Sequence, residues 1–273
     1  MSREPVGLSP AATSDSSMAD GDLPDARPLT ARSVLASALL GEDPPELPVA
    51  HLIHLAGLFG INANRTRVAL SRMVASGEAV SNGSGRYRLA GPLLERRDRQ
   101  EGSRRGWTGP WDGRWRLVVV VGAASTPEHR ADRRRRLIQA RYGEQREGVW
   151  LRPDNLDGHA PPGDDPDLTV FTGVPADDPI AMAATLWDLA GWADRASQLA
   201  GQLERNPTEA PDDLASGFTL SAAVLRHLQS DPLLPPELLP PGWPGPALRG
   251  IYQSWDQEYR DVLRTWGRST RTT

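Results

Sequence analysis

Between positions 62 and 77 the row NANRTRVALSRMVASG carries hydrogen-bonding and cationic side chains at helical spacing. At about 100° per residue, Asn64, Arg65, Val68, Ser71 and Arg72 fall on one arc with Arg67 at its edge. Thr66, Ala69, Leu70, Met73 and Val74 fall opposite and are expected to face a core. The polar arc has the chemistry of a DNA major-groove reader: guanidiniums for phosphates or guanine edges, an amide for adenine, a methyl-bearing side chain for thymine. Asn62 is placed to cap this helix and Gly77 to end it. Downstream, 79–81 and 87–90 can pair across the turn residues 82–85, which sets Arg86 and Arg88 beside the tip of a short ribbon.

Other reactive types are less well placed. His51 and His54 have metal-ligand spacing on a helix but no third ligand nearby, so both read as structural. The chain has no Lys and no Cys, which excludes a Walker-type phosphate loop, disulfides and thiolate chemistry. No G-x-G-x-x-G follows the apolar run 117–121, and Gly83-Ser84-Gly85 is a loop tip, not a nucleophile elbow. No carboxylate pair stands out as a catalytic dyad, so no catalytic residue, metal or cofactor is expected. The block Arg133-Arg134-Arg135-Arg136 covers all sides of a helix and reads mainly as solvated, with phosphate binding as the alternative. Trp187 and Trp192 read as core, or as the wall of an aromatic pocket.

Charge is unevenly spread. The whole chain of 273 residues is at -4. Residues 1–29 hold 2 Arg and 5 acids, residues 30–107 hold 11 Arg and 7 acids, and the remainder 18 Arg and 23 acids. Within 62–107 the excess is six positive charges, a local field that favours a polyanion on one face.

The elements that must position the polar arc follow from periodicity and breakers. Residues 1–29 read as a disordered leader. Helices are expected at 31–40 and 49–58, before the arginine-lined helix. Three helices followed by a hairpin is the order of a winged helix-turn-helix, assigned to 30–91; residues 92–108 form a charged linker or helix. A strand at 117–121, a helix at 127–142 and strands at 148–151 and 168–171 suggest a ferredoxin-like α+β domain over 109–175. Residues 176–273 form a helical C-terminal domain, with helices at 179–201, 222–229 and 247–266 and a proline cluster at 232–246. The fold class is thus α+β and multidomain. No apolar run is long enough for a membrane span and none resembles a secretory signal, so a cytoplasmic protein is expected.

Four stretches resemble one family in matching order. Arg67-Val68-Ala69-Leu70-Ser71-Arg72-Met73 is similar to the R-T-A-L-S-R-L signature of the PaaX family of transcriptional repressors. Trp111-Asp112-Gly113-Arg114-Trp115 and Gly148-Val149-Trp150-Leu151-Arg152-Pro153 also resemble that family. So does Asp231-Pro232-Leu233-Leu234-Pro235-Pro236-Glu237-Leu238-Leu239-Pro240, with Trp243-Pro244-Gly245 after it. The resemblance implies a winged-helix DNA-binding domain, a middle domain like small CRISPR-associated ribonucleases and a helical C-terminal region. It implies a repressor of aromatic-acid catabolic genes that leaves its double-stranded DNA when phenylacetyl-CoA or another acyl-CoA binds. The symmetric half-site logic of such helix-turn-helix domains adds the expectation of a homodimer on an inverted repeat. Arg67, Ser71 and Arg72 occupy the family's recognition-helix positions; Val68 stands where threonine is usual, which replaces a hydrogen bond by a methyl contact. For the effector, Arg134 and Arg226 are the expected phosphate contacts and Trp187 and Trp192 the expected apolar slot. Two alternatives stand beside this reading: a regulator with another effector or none, and a metal-dependent ribonuclease built on the middle domain.

Overall fold

The computed structural model describes residues 30–106, 108–122, 126–156, 165–206 and 214–269; the expected leader lies outside them. Thr30 caps α1 (Ala31–Leu40) and exchanges hydrogen bonds with Ser33 in a capping box. A three-residue strand, β1 (Glu46–Pro48), runs directly into α2 (Val49–Gly57). Asn62 caps α3 (Ala63–Ala75), its Oδ1 accepting the Arg65 N–H at 2.9 Å. β2 (Ala79–Ser81) and β3 (Arg86–Leu89) follow, and β1 joins them in an antiparallel sheet of order β1-β3-β2. The expected two-stranded hairpin is therefore three-stranded. Leu35, Leu39, Leu52, Leu70, Met73 and Leu89 are buried in the core under these elements.

Gly91 adopts a positive φ of 48°, and a Cβ there would lie 2.8 Å from the Gly77 carbonyl oxygen. Only glycine lets the chain turn so close to the end of α3. It opens α4 (Pro92–Arg105), so the charged segment is a helix. α4 leads toward a second sheet, built from β4 (Trp115–Val120), β5 (Gly143–Arg146), β6 (Val149–Pro153) and β7 (Leu168–Gly173). Its order is β5-β6-β4-β7 and all neighbours are antiparallel. The helix α5 (Pro127–Gln139) lies between β4 and β5 in sequence and packs Leu137 against Val118 and Trp150 on one face. The other face buries Trp115 and Leu151 against Ala183 and Leu189.

The helix expected over 179–201 breaks at Trp187 into α6 (Pro179–Leu186) and α7 (Leu189–Arg205), because Asp188 recaps the chain by accepting the Gly191 N–H. α8 (Leu214–Gln229) and α9 (Gly245–Ser269) complete the helical part, joined by the proline-rich segment with a 3-10 turn at Pro236–Leu238. Their shared core contains Leu199, Phe218, Val224, Tyr252 and Trp255. No helix among the described residues is long and apolar enough to cross a membrane.

Within this core Trp192 is stacked between His227, at 4.4 Å, and Trp243, at 4.6 Å. The His227 Nε2–H donates to the Trp192 carbonyl at 3.0 Å. Burial, with Arg195 nearby, pushes the imidazole below its ordinary pKa; the Trp192 carbonyl and Asp231 oppose this. The unfolded chain thus binds a proton more readily than the fold does. Stability is held above about pH 6.5, the unfolded value, and is lost as pH falls from there toward the folded value. Thermal melting in a series from about pH 7.5 to 5.5 should show this decline, and His227→Gln should flatten it.

Candidate nucleic-acid interface

The polar arc of α3 is laid out as its spacing implied. Asn64, Arg65, Arg67, Val68, Ser71 and Arg72 are all exposed, while Thr66, Leu70 and Met73 on the opposite face are buried. Thr66 anchors the back of the helix by donating its hydroxyl to the Asn62 carbonyl at 3.0 Å. Val74 is a correction: it is 39% exposed, because the last turn of α3 runs past the edge of the core.

Val68 is 43% exposed amid arginines, which leaves a methyl-bearing surface between cations. Among the described residues, Arg65, Arg67, Arg72 and Arg88 have no acidic partner, and Glu78, which follows α3, and Glu46, on β1, are already paired with other arginines. Glu78 holds Arg32 with an Nε to Oε2 distance of 2.8 Å, and this bond lowers the Glu78 pKa. Glu46, brought across from Arg88 by the β1–β3 register, binds Arg86. Arg86 and Arg88 therefore differ: one is neutralised by a sheet neighbour and the other is left available. At the ribbon tip Asn82 Oδ1 accepts the N–H groups of Ser84 and Arg86 at 3.1 and 3.2 Å, which fixes the turn. The result is one exposed helix face and a ribbon carrying unpaired guanidiniums, with the negative groups folded away. Such a surface can pair with phosphates and reach base edges.

The four side chains expected to meet an effector are not brought together. Arg134 pairs with Glu144 and lies 5.3 Å over Trp150, on one face of the β5-β6-β4-β7 sheet. Trp187 stacks against Trp115 on the opposite face, at 6.4 Å. Both ring faces of Trp192 are closed by His227 and Trp243, and Arg226 is exposed on α8. None of the four lines the large cavity, which is bounded by α1, α2, α4, α8 and α9 and was not legible in the sequence.

The arginine block also divides. Arg133 is buried and holds Asp165 at 2.9 Å and Asp167 at 2.7 Å, keeping the Asp165 carboxyl below the usual carboxylate range. Arg135 and Arg136 pair with Asp132. No group of three His, Asp or Glu among the described residues is arranged to hold a metal.

Residues 30–93 match the PaaX-like protein family, 108–161 the PaaX protein central Cas2-like domain and 187–267 the PaaX-like protein C-terminal domain. No curated protein matches. A solved structure, "Uncharacterized protein Rv0674 from Mycobacterium tuberculosis", is 38% identical, with 86% of this chain and 98% of that chain covered and a TM-score of 0.68. With all three family segments matched in order along the chain, the protein belongs to the PaaX family.

Proposed function

We propose that this protein is a sequence-specific DNA-binding repressor of the PaaX type, with α3 as the groove-reading helix and the β1-β3-β2 ribbon as its flanking wing. The observation that carries it is the exposed, acid-free row of Arg65, Arg67 and Arg72 on a helix whose other face is locked into the core. Asn64, Val68 and Ser71 add base-edge contacts, and Arg88 reaches phosphate beside the ribbon; Arg86 contributes less because Glu46 holds it. In this reading residues 30–91 form the winged domain, 92–108 the connecting α4 segment, 109–175 a ferredoxin-like domain and 176–273 the helical domain. The strand order β5-β6-β4-β7, with α5 between its first two strands in sequence, supports the ferredoxin-like assignment. Family membership supports repression of aromatic-acid catabolic genes and release by an acyl-CoA effector such as phenylacetyl-CoA. Footprinting on the DNA upstream of the protein's own gene, repeated over a salt series, tests the proposal; protection should fade steeply with salt. Equal affinity for unrelated DNA at every salt concentration would contradict it.

The homodimer needed for an inverted repeat finds support in β7. This edge strand carries no charge, and Phe171 on it is 54% exposed. The bond from the Val121 N–H to Asp167 O fixes the alternation of the ladder, so the backbone groups of Leu168, Val170 and Thr172 face away from β4. Natural edges are usually blunted by charge or proline; this one suits pairing with a second copy. Light scattering should give a dimer mass for the wild type and a monomer mass for Phe171→Glu. A ribonuclease is not favoured: Asp165 and Asp167, the carboxylates beside the end of β4, are engaged by Arg133.

A further inference from the structure

A cavity of about 1130 Å³ lies in the seam between α1 and α2 on one side and α8 and α9 on the other, with α4 crossing it. That is room for a drug-sized or larger ligand. Leu40, Leu55, Phe218, Leu225 and Leu263 supply apolar wall. Six arginines supply the rest of its character: Arg97, Arg104 and Arg105 from α4, and Arg249, Arg260 and Arg264 from α9. On α4 positions 97, 104 and 105 fall on one side of the helix, so they present a single cationic row.

Where α4, α8 and α9 meet, the Tyr252 hydroxyl receives a hydrogen bond from Arg104 Nη2 at 3.1 Å, lies 2.9 Å from Ser221 Oγ and 3.3 Å from Asp256 Oδ1. Burial pushes the phenol up to about 12, so it remains a neutral donor. The Arg104 guanidinium lies 5.4 Å from the centre of the Tyr252 ring, and its Nε is shielded from solvent without a hydrogen-bond partner. Elsewhere in the lining, Arg97 pairs with Asp43 at 3.0 Å and Arg105 with Glu101 at 3.2 Å. Those pairs are exposed and contribute little, so an incoming anion can take over their arginines at small cost. The lining acids Glu42, Asp43, Asp98, Glu101 and Asp256 nearly balance the arginines, so polyanions are not attracted without specific contacts. What fits is a molecule with a carboxylate or phosphate at one end and an apolar body.

We propose that this seam is the binding site of a regulatory ligand, an amphipathic organic anion whose charged end meets the α4 arginines and Tyr252 while its apolar part fills the space beside Phe218 and Leu225. Binding itself stands on the cavity; its consequence rests on the DNA-binding reading. The seam is where the groove-reading part meets the helical part: Phe59, just after α2, packs edge-on against Phe218 at 5.0 Å, and Arg97 of α4 reaches Asp43 beyond α1. A ligand that binds one seam geometry better than another shifts the orientation of α3 by that difference in affinity.

Calorimetric titration of the full chain with phenylacetyl-CoA, coenzyme A and phenylacetate, each alone, tests the site and separates the two sources of such an anion. At least one of these should bind, and Arg104→Gln should weaken it by about tenfold or more. Ala222→Trp, which fills the cavity from α8 without touching the helical core, should abolish the same heat, with folding checked by thermal melting. Absence of heat with all three probes overturns the assignment, as does binding that both substitutions leave unchanged. Footprinting of the unsubstituted protein without ligand decides the DNA-binding reading independently.

Discussion

Arg67→Ala and Arg72→Ala are each expected to raise the operator Kd by roughly ten- to a hundredfold, equivalent to about 1–3 kcal/mol for a lost base or phosphate contact. Both side chains project from the exposed face of α3, with no carboxylate among the described residues to compete with DNA for them. The two losses should be close to additive if each contacts a different base pair or phosphate. A salt series separates these roles: loss of a phosphate contact lowers the slope of log K against log salt by about 0.9, whereas loss of a base contact relaxes sequence preference at one position. Arg86→Ala should have a much smaller effect, because Glu46 already holds its guanidinium. Glu46→Ala should strengthen binding by freeing it. Mobility-shift titration with the footprinted fragment gives all of these values, and unchanged affinity in both α3 variants would remove α3 as the reading helix.

The α3 surface was legible because a single helix contains it. Once Asn62 and Gly77 bounded the helix, the spacing alone sorted Leu70 and Met73 from Arg65 and Arg72, and only Val74, in the last turn, was misplaced. The strands that escaped detection lack that internal signal. β1 is three residues that follow two prolines and end in a third, with Leu47 its sole buried side chain, and β5 reads GEQR with no apolar alternation. Both exist because a stronger strand, β3 or β6, offers them a ladder. The seam cavity was invisible for the opposite reason: its walls come from five helices spread from Ser37 to Arg264, and no local pattern encodes their meeting. The effector residues failed on the same ground, since sequence cannot say that Arg134 and Trp187 stand on opposite faces of one sheet. Family resemblance located the Asp231 motif without a reason for it, and the structure supplies one.

Asp231→Ala should destabilise the whole chain by about 3–5 kcal/mol, the usual cost of leaving a buried ion without its partner. Asp231 is almost completely buried; its Oδ2 accepts from Arg249 Nη2 at 2.7 Å and its Oδ1 from the Leu233 N–H at 2.9 Å. Arg249 continues through Nε to the Ser103 carbonyl at 2.9 Å, and Arg141 donates to Ser103 Oγ at 2.8 Å and to the Gln229 carbonyl. One carboxylate thus offsets two guanidiniums that tie α4, the loop after α5, the end of α8 and the start of α9 together. The strain on that arrangement is visible in Arg141, whose pKa burial lowers to about 10 against the pull of Asp231. Remove the carboxylate, and Arg249 and Arg141 are left to repel each other in a poorly solvated space. Leu233 would also lose the hydrogen bond that helps hold its positive φ of 53°. Asp231→Asn keeps an oxygen for Leu233 but not the charge, so its loss should be intermediate, and Arg249→Met, which leaves Asp231 the Leu233 N–H and the nearby Arg141 cation, should cost less than Asp231→Ala. Urea unfolding of the three variants ranks them, and an Asp231→Ala protein as stable as wild type would mean that the proline-rich segment is held by its leucines, Leu234 and Leu238, without help from the ion pair.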